Sequence, residues 1–74
     1  MKEPLNYQLG KRVRALRAEY KLTQEALAGK AHISLKYIQR IEGKNPQDIG
    51  LEYLEKLANG FGIPVWKLLK FDGN

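Results

Sequence analysis

QEALAGKAHISLKYIQRIEG, residues 24–43, is the stretch on which the fold turns. Leu27, Ala28 and Ala31 recur at the spacing of a helix side turned toward a core, and Ile33, Ile38 and Ile41 repeat the pattern further on. Between the stripes, Ser34 is placed to cap a new helix by accepting from the backbone N–H of Lys36 or Tyr37, so the turn is about three residues long. Ala28 is small where two helices joined by so short a turn must cross closely. With the isoleucines facing inward, the second helix displays Ser34, Leu35, Lys36, Gln39 and Arg40 on its other side. That face carries two cations, an amide, a hydroxyl and one aliphatic.

The longer run LGKRVRALRAEYKLTQEALAGKAHISLKYIQRIEGKNP resembles the Xre/Cro type of helix-turn-helix repressor, the lambda-repressor-like group. The resemblance is carried by Leu9-Gly10, Leu16-Arg17, Leu22-Thr23-Gln24-Glu25, Leu27-Ala28, Tyr37-Ile38, Ile41-Glu42-Gly43, Leu57-Ala58 and Phe61-Gly62-Ile63, and it spans roughly Leu9 to Leu69. It implies an all-α fold: a compact five-helix lambda-repressor-like domain with a central helix-turn-helix. It also implies an ion pair between Arg17 and Glu42, and DNA-backbone contacts from Gln24, Lys44 and Asn45. One departure falls in the turn, where the group usually has glycine and this chain has His32. His tolerates a positive φ better than most non-glycine residues, at a modest cost.

Seventy-four residues suffice for one domain with a single small core. Without cysteine there is neither a disulfide framework nor a thiolate metal site. No apolar run approaches the roughly 20 residues that span a bilayer, and MKEPLNYQLG lacks the apolar centre of a secretory signal, so a cytoplasmic protein is expected, and the resemblance implies a prokaryotic or phage origin. The net charge of +5 is unevenly spread. Residues 1–44 hold ten Lys/Arg against four Asp/Glu, and residues 45–74 hold three against four. The basic half coincides with the helix-turn-helix, as a surface for a polyanion requires.

In chain order, residues 1–8 read as a flexible N-terminal arm that joins the first helix near Asn6, 9–71 as the helix-turn-helix domain and 72–74 as a tail. Leu9, Val13, Leu16 and Tyr20 form the inner stripe of a first helix whose outer face holds Lys11, Arg12 and Arg14. Thr23 caps the second helix, and Gln24 sits at its N-terminus, where free N–H groups suit a phosphate. After a breaker-rich loop from Gly43 to Asp48, Gly50 caps a fourth helix expected over Leu51 to Phe61, ended by Gly60 and Gly62. A short last helix is expected from Val65 to about Lys70, with Leu68 and Leu69 closing the core. Trp66 then points outward, and Val65, Trp66, Leu69 and Phe71 form a candidate dimer patch. The alternative is a core tryptophan with Leu69 exposed.

Enzymatic readings lack parts. His32 is the single histidine, with no acid placed by spacing; no metal-ligand cluster, phosphate loop or dinucleotide fingerprint is present, and no cofactor is implied. A DNA mechanism is complete by comparison. A recognition helix at about residues 34–42 enters the major groove, with Lys36 and Arg40 suited to guanine, Gln39 to adenine, Ser34 to either and Leu35 to a thymine methyl. Gln24, Tyr37, Lys44 and Asn45 would hold the register on phosphates. The expected function is a sequence-specific transcriptional regulator of double-stranded DNA acting as a homodimer. Two others compete: a protein-interaction module on the same scaffold, antitoxin-like, with a toxin or regulatory protein as partner, and a structure-directed RNA binder, for which exposed stacking aromatics are wanting.

Overall fold

The computed structural model describes residues 3–43 and 48–71. They form α1 (Leu5–Glu19), α2 (Gln24–Ala31), α3 (Leu35–Ile41), α4 (Leu51–Phe61) and α5 (Val65–Leu68). Among the described residues there is no strand, and no helix is long and apolar enough to cross a membrane.

Local chemistry accounts for most of the boundaries. Thr23 Oγ1 accepts from Ala26 N at 3.0 Å and Ser34 Oγ from Tyr37 N at 3.1 Å, each satisfying one of the donors a helix start leaves over. His32 closes α2 in the left-handed region (φ 59°, ψ 43°), and the next N–H, from Ile33, donates back to the Ala28 carbonyl at 3.0 Å. Gly62 ends α4 in the same way, at φ 72°.

The fourth helix has its expected bounds, and two other features differ from expectation along with the first helix, which begins at Leu5, one residue ahead of the join expected near Asn6. Proline starts a helix readily, since its fixed φ suits the first turn and its missing N–H costs nothing there. Here its carbonyl accepts from Tyr7 N and Gln8 N. Gly60 does not end α4 but lies within it, where a Cβ would come within 2.9 Å of Ala31 Cβ; a glycine lets α4 pass close over α2. The last helix stops at Leu68, and Leu69, expected to close the core, is partly exposed in the C-cap position.

The core joins all five helices. Leu9, Val13 and Leu16 come from α1, Leu27, Ala28 and Ala31 from α2, Ile38 and Ile41 from α3, Leu57, Ala58 and Phe61 from α4, and Leu68 from α5, with Ile33 added from the turn. Tyr20, expected on the inner stripe of α1, instead caps it at the surface with its ring 5.8 Å from Phe61. Its displacement follows from the end of the helix at Glu19, which takes residue 20 off the stripe.

At Gly10 α1 approaches the end of α3 so closely that a Cβ would collide with the Ile41 carbonyl oxygen. By contrast a Cβ on Gly29, inside α2, would meet nothing within 4 Å. These two glycines therefore respond to alanine with opposite signs. Gly10→Ala should destabilise by about 1–3 kcal/mol through overpacking, and Gly29→Ala should stabilise by about 1 kcal/mol through helix propensity. Urea unfolding followed by circular dichroism measures both.

Candidate nucleic-acid interface

α3 presents the face expected of it. Ile38 and Ile41 are buried together with Ile33, whereas Ser34, Lys36, Gln39 and Arg40 are exposed and Leu35 is half-buried. A shallow cleft between the starts of α2 and α3 is lined by Thr23, Gln24, Glu25, Leu35 and Gln39. The exposed polar groups of α3 thus border the N-terminus of α2, whose first-turn N–H groups favour an anion.

Beneath this face lies a buried carboxylate. The Glu42 side chain is 3% exposed. It accepts from Arg17 Nε at 2.7 Å and Arg17 Nη2 at 2.8 Å, a two-pronged pair, and from Gln24 Nε2 at 3.2 Å. Arg17 Nη1 also donates to the Leu22 carbonyl at 3.0 Å. The hydrogen bond to Glu42 holds the Arg17 pKa above its ordinary value despite the opposing effect of burial, so the guanidinium stays charged. Gln24 commits one amide N–H to Glu42 and remains half-buried at the edge of the face.

Tyr37 is half-buried and packs on Tyr53 of α4, with ring centroids 4.3 Å apart. Burial first, and Tyr53 second, raise its pKa above the usual 10.0, with Arg40 pulling the other way. The phenol therefore keeps its proton at neutral pH and is a hydrogen-bond donor. Lys44 and Asn45, expected on phosphates, lie outside the described residues.

A second surface lies away from α3. Trp66 is 68% exposed, Leu69 is partly exposed, and Val65 and Phe71 are half-buried at the edge of the core. Sequence reasoning missed the apolar residues that accompany them. Leu5 and Leu51 are 71% and 79% exposed, and a groove of about 620 Å³ is lined by Leu5, Leu9, Ile49, Leu54, Leu69 and Phe71 together with Asn6 and Asp48. The spacing of Leu5 to Leu9 was the available signal, hidden by taking residues 1–8 as an arm. Arg12 Nη2 donates to the Lys67 carbonyl at 3.0 Å and so ties α1 to the short α5.

This fold and this face define a helix-turn-helix domain, and the chain belongs to that family, whose model matches residues 10–71, within the Xre/Cro type. Among individual relatives, the immunity repressor protein of Bacillus phage phi105 is 42% identical over 57 residues, covering 77% of this chain and 39% of that repressor. The restriction-modification controller protein C.AhdI from Aeromonas hydrophila superposes with a TM-score of 0.78 at 28% identity, over 85% of this chain and 94% of that one. The protein C.Esp1396I, in its structure bound to a 19 base pair DNA duplex, gives a TM-score of 0.79 at 26% identity, over 90% of this chain and 92% of that one.

The Arg17–Glu42 pair yields a direct test. Removing one member takes the nearest counter-charge from the other, and breaking a buried pair in this way typically costs about 3–5 kcal/mol. Arg17→Met and Glu42→Gln should each cost about 3 kcal/mol or more, and the double variant should cost clearly less than the two together, a coupling of roughly 0.5–3 kcal/mol by double-mutant cycle.

Proposed function

We propose that this protein is a sequence-specific DNA-binding transcriptional regulator that acts as a homodimer. The observation that carries the proposal is the split of α3, with its isoleucines in the core and Ser34, Lys36, Gln39 and Arg40 outside. The relatives support it, being a phage repressor and restriction-modification controllers. None of them speaks for a toxin partner. The basic half of the chain supports it as well, since duplex DNA is a dense polyanion.

In this mechanism α3 enters the major groove. Arg40 and Lys36 donate to guanine O6 and N7, Gln39 pairs with adenine, Ser34 serves either, and Leu35 rests on a thymine methyl. Gln24 turns its remaining amide N–H to a phosphate, and the Tyr37 hydroxyl donates to another. Lys44 and Asn45 extend the backbone contacts. These contacts set the register without selecting sequence.

One domain of this size offers too few base contacts to be both tight and selective, and two-fold pairing through Val65, Trp66, Leu69 and Phe71 doubles them. The operator is then a palindrome with half-sites about 34–36 Å apart, one helical turn. Such a regulator works in the cytoplasm of a prokaryote or phage host. We place the domain over 9–71, with the first turn of α1, from Leu5, leading into it.

The test is selection of bound sequences from a random duplex library. An enriched palindrome of that periodicity supports the proposal; a protein-interaction module would enrich nothing. On the enriched site, Arg40→Ala should lose about 1–3 kcal/mol of discrimination against random duplex, while Lys44→Ala weakens both equally. Trp66→Ala should sediment as a monomer at concentrations where the parent is a dimer.

A further inference from the structure

The sequence analysis gave Arg14 and Lys11 no role beyond a basic helix face. In the structure both line a cleft of about 370 Å³ beside the end of α3, together with Tyr7, Gly10, Glu42 and Gly43. We infer that Arg14, assisted by Lys11 one turn earlier on α1, forms a further contact site for the DNA backbone and takes a phosphodiester group in this cleft. The inference rests on the DNA-binding function proposed above.

Arg14 is held in position and yet open. Its Nη2 donates to the Glu42 carbonyl oxygen at 2.6 Å, which fixes one corner of the guanidinium, while its side chain is 61% exposed. Its Nε lies 3.8 Å from Glu42 Oε1, beyond hydrogen-bond reach. That carboxylate is already engaged by Arg17 on two sides, so it does not compete strongly for Arg14. The remaining N–H groups form a planar fork suited to two phosphate oxygens, with much of the side chain's freedom already lost.

Lys11 is paired with Glu3 at 2.9 Å, but both side chains are largely exposed. Exposed pairs of this kind contribute about 0–1 kcal/mol, so a phosphate can displace Glu3. The site also has the right location. Gln24 and Arg14 both hydrogen-bond to Glu42, one to its carboxylate and one to its carbonyl, which brings both to the C-terminal end of α3. A strand that meets Gln24 at the start of α2 is therefore carried on toward α1.

The experiment measures affinity against salt for the parent, Arg14→Gln, Arg14→Lys and Lys11→Gln, each on the selected duplex and on a random one. Each phosphate contact contributes about 0.9 to the slope of log affinity against log salt. Arg14→Gln should flatten the slope by about that amount and weaken both duplexes by the same factor, with its circular dichroism spectrum unchanged; Lys11→Gln should do so to a smaller extent. Arg14→Lys should keep the parent slope, because the charge is retained. An unchanged slope in Arg14→Gln overturns the site, and so does a loss confined to the selected duplex, which would make Arg14 a positioning residue for α3. A parent that binds neither duplex in a salt-dependent way would instead sink the DNA-binding function itself.

Discussion

A carboxylate withdrawn from water needs hydrogen-bond partners, and Glu42 finds three by drawing three helices to one point. Arg17 comes from α1, Gln24 from the first turn of α2, and Glu42 itself caps the end of α3. Seven residues are too few for α3 to hold a helical form alone, so its direction is set by what grips it. One grip is apolar, through Ile38 and Ile41. The other is this polar node, which fixes the C-terminal end and so leaves the exposed side of α3 pointing one way.

The two surfaces of the domain follow from how the charges and apolar groups are spread. Cations gather on α1 and α3, around the node, while α4 begins with Glu52 and carries Glu55 on its outer side. A phosphate backbone is attracted to the first region and repelled by the second. The large apolar side chains most exposed, Leu5, Leu51 and Trp66, belong to α1, α4 and α5 and not to α3. The proposed contacts with nucleic acid and with a second copy thus fall on separate faces of the domain.

Much of the fold was legible because its signals are local. Thr23, Ser34 and Gly62 mark helix ends through groups within four residues, and the isoleucine spacing marks the buried side of α3 directly. The misreadings share a different cause. Pro4 and the lack of clear periodicity in residues 1–8 place the helix start near Asn6, one residue late, so Leu5 goes unread. Gly60 was taken as a stop signal, although its reason is Ala31, a residue nearly thirty positions away that a single sequence does not place opposite it. The pairing of Arg17 with Glu42 came from family resemblance and not from pattern, since nothing in the spacing brings those residues together. Arg14 was passed over for the same reason. Its partner is a main-chain carbonyl across the helix interface, and main-chain acceptors leave no mark in a sequence.

The central claim is that the outer side of α3, held by the Glu42 node, is the surface that meets DNA. Amide chemical-shift mapping of the isotopically labelled protein during titration with a duplex tests it most directly. The account predicts the largest changes at Gln24 and across residues 34–40, with small ones along α4. Changes centred on Leu51 and Trp66 with α3 undisturbed would contradict it.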